Sequence, residues 1–226
     1  MMHRALLVFL GVVSATVSAT AVASVASVCE VAAVQGKAEL VGTGPLKKGQ
    51  GLAVGASLRT GAQSRVRLRC VDGSSLVLAD NSQLQIELFE PGPARRASFL
   101  LNMGLLGQKV QPAEQPSESR WQVRTPSAVT AVRGTEFMVE VARDKSTQVH
   151  VLSGVVAVEA QESVEASAGE AYQSKGVKTR GIHPPASVLL DASGASTRCG
   201  QSDGCQAAVS SSAAELKKLR DRLGSF

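Results

Sequence analysis

Between Glu30 and Gln173 apolar and polar residues alternate in short runs set apart by glycine. Val66, Leu68 and Cys70 alternate with Arg65, Arg67 and Arg69, which places apolar groups on one face of a strand and guanidinium groups on the other. Asp72-Gly73 follows as a hairpin turn signal. Leu76, Val77 and Leu78 form a short run that is apolar on both faces. Leu84, Ile86 and Leu88 alternate with Gln83, Gln85 and Glu87, and Phe137, Val139 and Val141 with Glu136, Met138 and Glu140. The clearest hairpin expected runs from Gln148 to Glu159 about a Ser153-Gly154 turn, with Val149 facing Val158, Val151 facing Val156, and Leu152 facing Val155. No comparable helical period occurs here. Strands at intervals of about 8 to 12 residues predict an all-β sandwich, roll or solenoid-like domain.

The stretch from Glu90 to Arg124 interrupts this pattern with Pro91, Pro93, Pro112 and Pro116. Ala97 to Val110 reads as a short helix or a further strand pair, and Gly104 and Gly107 favour strand and turn. Gln111 to Glu118 is expected as a surface loop dividing the body into two halves, related units of one domain. Beyond Gln173, Lys175 to Arg180 is polar and basic, Pro184-Pro185 ends any regular element, and Ser187 to Leu190 reads as one last strand. Ala192 to Gly204 reads as a Gly/Ser-rich linker with a disulfide-closed knob. Ser212 with Glu215 fits a capping box, and Leu216, Leu219 and Leu223 then share one helix face. Such a helix is expected to dock on its own domain or stay solvated, the alternative being a partner-binding or coiled-coil fragment.

The N-terminus has another logic. Arg4 precedes an apolar run, Ala5 to Val13, and then small residues. This is the order of an export signal, with cleavage sites at Ala21-Val22-Ala23 or Ser24-Val25-Ala26. A retained anchor is the alternative, although bilayer spans want roughly 20 apolar residues. Val28 before Cys29 argues against lipid attachment there. Export makes pairing of the four cysteines natural, and three connectivities are open. Cys199 and Cys205 enclose a short loop and are expected to bridge; Cys29 and Cys70 are then left for each other, with a buried free thiol at Cys70 as the alternative.

Two stretches carry a family resemblance. Leu46 to Leu88 holds Gly51, Gly55, Leu58, Thr60, Gly61, Asp72, Gly73, Ser74 and Leu78 in a glycine-spaced pattern followed by a dipeptide-turn hairpin. Val123 to Val158 holds Val123-Arg124-Thr125-Pro126 and Val132-Arg133-Gly134-Thr135-Glu136-Phe137. Together, over Cys29 to Tyr172, they resemble the FecR domain of the bacterial envelope. The resemblance implies a periplasmic β domain of ferric-citrate-type signalling. Its regulators place a cytoplasmic anti-sigma segment before a membrane span. Only Met1 to Arg4 precedes the apolar run here, so anti-sigma activity is not expected to carry over. A structural role is expected for the motif residues: Gly55, Gly61, Gly73 and Gly134 at positive φ or close approaches, Thr125 held extended by Pro126, and Arg133 paired with a carboxylate or capping carbonyls.

The 226 residues are 44% hydrophobic, 19% charged and 3% aromatic, which suits a packed core but offers few rings for stacking. Four segments follow: a signal peptide (1–26), a FecR-type β-domain (27–175), a Gly/Ser/Pro-rich linker with a disulfide loop (176–211) and a short amphipathic helix (212–226). His3, His150 and His183 have no zinc-ligand spacing, and neither a metal nor a cofactor is expected. Gly200-Gln201-Ser202-Asp203-Gly204 matches a nucleophile-elbow pattern but lacks its strand-to-helix context. Glu87, Glu90, Glu136, Glu140, Asp144 and Glu159 are scattered and form no evident pair. The formal net charge is +5. Arg65, Arg67 and Arg69, with Arg59, form a candidate basic ridge for an anionic partner, or a solvated face that resists edge pairing. Nucleic acid is not expected for an exported chain with one Trp and one Tyr. The expectation is a non-enzymatic periplasmic or secreted FecR-domain protein, peripheral to the membrane at most, that binds a protein or envelope partner in signalling or scaffolding. A carbohydrate- or peptidoglycan-binding protein, or a carbohydrate-active one, is the alternative. A membrane-anchored sensor is a third.

Overall fold

The computed structural model describes residues 26–161 and 187–224. The export segment, the basic stretch 175–180, Pro184-Pro185 and His183 lie outside the described residues. In chain order, β1 (Cys29–Gln35), β2 (Ala38–Leu40), β3 (Gly44–Pro45), β4 (Gly51–Leu52), β5 (Ser57–Thr60), β6 (Arg65–Cys70), β7 (Ser75–Leu78) and β8 (Gln83–Glu90) lead to β9 (Arg96–Lys109). After the proline loop come β10 (Arg120–Arg124), β11 (Ala128–Val132), β12 (Glu136–Val141), β13 (Thr147–Ser153) and β14 (Val156–Ala160). The last elements are β15 (Val188–Leu190), β16 (Ala195–Gly200), β17 (Gly204–Cys205), β18 (Val209–Ser210) and α1 (Ala213–Leu223).

Two sheets face each other across one core. The first runs β4, β1, β6, β7, β9, β12, β13, β16, with β17 and β18 both against β16. The second runs β3, β2, β5, β8, β9, β10, β11, β14, β15, and its β9–β10 contact is the single parallel pairing among the described residues. Strand β9 belongs to both. Its residues 96–103 pair in the second sheet and residues 104–109 in the first.

Ala97 to Val110 is therefore neither a helix nor a strand pair: all of it but Val110 lies in one 14-residue strand, Arg96–Lys109. Ala97, Phe99 and Leu101 point into the core, and so do Leu106 and Val110. Inward positions switch from odd to even numbers at Gly104, whose φ of +97° makes the bend. Both parities must be apolar in a strand that changes sheets, which is why no clean alternation shows in its sequence.

The expected 148–159 hairpin does not form. β13 pairs with β12 and β16 in the first sheet, and β14 with β11 and β15 in the second. The chain arches over at Ser153–Val155, and Val149, Val151, Val156 and Val158 meet face to face in the core, fully buried. Alternation specifies which side chains point inward, and it does so equally for a hairpin and for an arch between sheets. A bulge near Glu87 moves Phe89, rather than Leu88, into the core, where it contacts Phe99 and Trp121 edge-on at centroid distances of 6.4 and 5.9 Å. Residues 192–204, read as linker, contain β16, paired with β13.

Leu76, Val77 and Leu78 are all buried. Leu76 and Leu78 face the main core, while Val77 joins Ala79, Leu105, Met138 and Leu152 on the outer face of the first sheet. α1 covers that strip with Leu216, Leu219 and Leu223. Ser212 caps the helix by accepting the Glu215 N–H at 3.1 Å, and Gly224 closes it at positive φ. The Glu215 carboxylate does not complete a capping box; it accepts from Gln148 Nε2 at 3.0 Å. Arg222 binds Asp80 (3.1 Å) and Glu140 at the far end. An 11-residue helix is below the length of about 12–15 at which isolated helices become even marginal, so this docking is what keeps it folded.

Candidate functional site

The motif residues converge beside the proline loop. Asp72 terminates the β6–β7 turn by accepting from the Ser74 N–H (3.0 Å) and hydroxyl (2.8 Å), with Gly73 at φ +83°. Asp72 also binds Arg95, and the two side chains are only 9% and 4% exposed. The same guanidinium donates to the Gln111 carbonyl (2.9 Å) and lies 5.0 Å from the Trp121 ring centroid. Ser74 Oγ accepts from the Gln111 N–H (3.0 Å), and Trp121 Nε1 donates to Gln108 Oε1 (2.8 Å). Arg95, Trp121, Pro112, Pro116 and Arg133 border a cavity of about 40 Å³, room for a water molecule rather than a substrate.

The second motif supports the other flank of that loop. A side chain on Gly134 (φ +70°) would stand 3.1 Å from the Pro112 Cα. Thr135 Oγ1 donates to the Val155 carbonyl (3.1 Å), so this residue braces the arch between β13 and β14. Phe137 is a fully buried core residue. Arg133 does not take the expected carboxylate or carbonyl partner: it is exposed and has no such bond among the described residues. Gly61 also departs from expectation. It has no positive φ, and a side chain there would make ordinary contacts from 3.5 Å outward.

Thr125 and Pro126 open a turn in which the Thr125 N–H donates to the Ala128 carbonyl (2.9 Å). The Thr125 and Ser127 hydroxyls each lie 2.7 Å from Thr147 Oγ1, and Ser127 Oγ donates to the Cys199 carbonyl (3.1 Å). This buried hydroxyl cluster ties the second sheet to β16.

The arginine stripe divides. Arg65, whose Nε donates to Gln35 Oε1 (2.7 Å), and Arg67 border a groove closed by Leu223 of α1 and by Gly224, which follows it. Arg69 is exposed and shares a depression with Glu30, Lys48 and Val71. Arg59 belongs to the second sheet, where it pairs with Glu39 at 3.4 Å, so it is not part of the same ridge.

His150 is fully buried beneath the first turn of α1. Its Nδ1 is hydrogen-bonded to Ser211 Oγ at 2.8 Å, and its Nε2 lies 4.0 Å from Glu215 Oε1. Burial pushes the imidazole below its ordinary value, against the pull of the Glu215 and Glu140 carboxylates. Among the described residues no group of three or more His, Cys, Asp or Glu stands together as metal ligands would. Glu87 is committed to Arg124 (3.0 Å) and Glu90 to Arg96 (3.3 Å). Gly200 to Gly204 is the tight turn between β16 and β17, with no helix following it.

Both disulfides form, Cys29–Cys70 between β1 and β6 and Cys199–Cys205 across the β16–β17 turn. The first closes 41 residues of chain and the second 6. Serine replacement of the first pair is expected to cost roughly 4 kcal/mol and of the second roughly 2 kcal/mol, from the loop entropy each removes from the unfolded chain. Urea unfolding of the two variants measures the order.

A two-sheet β domain whose motif residues build turns and buried pairs is thus the class of protein defined here. Residues 56–157 match the family model described as FecR protein. The match starts later than the resemblance read from Cys29, yet β1, β2 and β4 pair into the same sheets. No curated protein matches the chain. Two crystal structures of a candidate anti-sigma factor from Parabacteroides distasonis ATCC 8503 share its fold, at 15% identity and TM-scores of 0.51 and 0.52. The similarity covers 71% of this chain and 62% of theirs, so the chain spans less than two thirds of their length. No helix among the described residues is long and apolar enough to cross a membrane.

Proposed function

We propose that this chain is an exported, non-enzymatic FecR-domain protein that binds a protein partner of the cell envelope in a signalling role. The observation that carries the reading is the FecR match over 56–157 on a fold whose motif residues serve the backbone and the core. Two disulfides held within the sheets suit an oxidising compartment. The polysaccharide-binding alternative is less favoured, because Phe89, Phe99, Phe137 and Trp121 are all buried, leaving these rings no face for a sugar. Arg69 beside Lys48 is the basic surface best placed to receive an acidic partner face.

In-cell cross-linking and affinity capture of the tagged full chain tests this reading. A defined envelope protein should be recovered, about tenfold less with Arg69→Glu, as for a lost charge pair at an interface. Arg59→Glu, on the other sheet, should leave recovery unchanged. Equal recovery with Arg69→Glu, or retention on purified cell wall alone, would overturn it.

A further inference from the structure

On the outer face of the first sheet α1 covers an apolar strip. Beneath the helix lie Val77, Ala79, Leu105, Met138 and Leu152, a small apolar cluster separate from the main core. Polar contacts pin the helix at its two ends. At the C-terminal end Arg222 grips Asp80 and Glu140. At the N-terminal end Gln148 donates to Glu215, and His150 is bonded to Ser211.

We propose that α1 is a strap released by acid: uncharged His150 holds its first turn on the sheet, and protonation of His150 lets the helix leave.

The geometry around the imidazole supports this. His150 is fully buried, and its Nε2 has no hydrogen-bond partner. The charged groups facing it are Glu215 from α1, Glu140 from β12 and Arg198 from β16. The two carboxylates favour the imidazolium, but Glu140 is already engaged by Arg222 and Glu215 by Gln148. Arg198 opposes the charge, and so does the positive pole of the helix N-terminus directly above. Burial is the largest influence and also disfavours it. The imidazole therefore binds its proton less readily under the docked helix than in the open. Docking is fully favoured above the open-state value of about 6.5 and weakens as pH falls below it. Because α1 is too short to persist alone, undocking and unwinding are one event.

Hydrogen–deuterium exchange of the full chain, corrected for intrinsic rates, tests the strap. Between pH 7.5 and 5.5 protection of residues 213–223 should fall by up to about tenfold, the limit set by an open-state value near 6.5. Protection of β12 and β13 should not follow. His150→Asn can keep a polar atom near Ser211 but cannot titrate, and it should abolish the pH dependence. Unchanged protection in the parent chain, or an undiminished drop in His150→Asn, overturns the proposal. Should His150→Asn fail to dock at either pH, NMR titration of the parent chain decides. The α1 amides must move with the His150 ring at one midpoint below about 6.5, and separate midpoints overturn it.

Discussion

Gly104→Ala is expected to destabilise the domain by roughly 2–5 kcal/mol, a large share of an ordinary stability of about 5–15 kcal/mol. A left-handed backbone costs an L-residue roughly 1–2 kcal/mol, and Gly104 sits at φ +97°. The larger problem is space. A side-chain carbon there would lie 2.4 Å from the Ser82 Cβ and 2.5 Å from its Cα, a backbone atom. Ser82 cannot retreat easily. Its N–H donates to Thr60 Oγ1 (2.9 Å), its hydroxyl donates to the Asp80 carbonyl (3.0 Å), and the same hydroxyl accepts from the Leu105 N–H (2.9 Å). Overpacking of this kind costs a further 1–3 kcal/mol or so. Gly61→Ala provides the contrast, with no positive φ and only ordinary van der Waals contacts, and should shift stability by less than about 0.5 kcal/mol. Urea denaturation of both variants is the measurement, and a Gly104→Ala protein within 1 kcal/mol or so of the parent would contradict the bend as described.

Asp72→Ala should cost roughly 3–5 kcal/mol, because it leaves the Arg95 guanidinium buried without its carboxylate. Arg95→Ala should cost a similar amount, since it strands the carboxylate and strips the Trp121 face and the Gln111 carbonyl of their partner. The double variant Asp72→Ala with Arg95→Ala should cost clearly less than the sum of these two singles, because neither charge is then left buried alone. Chemical denaturation of all four proteins closes the cycle. Additive costs would mean that the two side chains do not act as a unit.

Much of this architecture was legible in the sequence, and the losses have identifiable causes. Strand faces followed from alternation: Val66, Leu68 and Cys70 point inward as their spacing requires. The Asp72-Gly73 turn followed from its dipeptide, and α1 from Ser212 and three leucines. Partners in space did not follow. The valines of β13 and β14 satisfy an arch and a hairpin equally, and only the strands on either side decide between them. Arg59 shares its residue type with the stripe but sits on the other sheet, which spacing along the chain does not reveal. The buried Arg95 and the double grip of Arg222 were invisible for a further reason. A charged residue is ordinarily exposed, and nothing local marks the one whose carboxylate arrives from a distant strand.

The proline loop reads as a seam between halves, but the fold places no seam there. β10 lies against residues 96–100 and β12 against residues 104–109, so both lean on a strand contributed from the other side of the loop. A fragment beginning at residue 111 would therefore start life with two bare flanks and nothing between them. Severing the chain in that loop leaves the C-terminal piece without the strand that joins its two sheets.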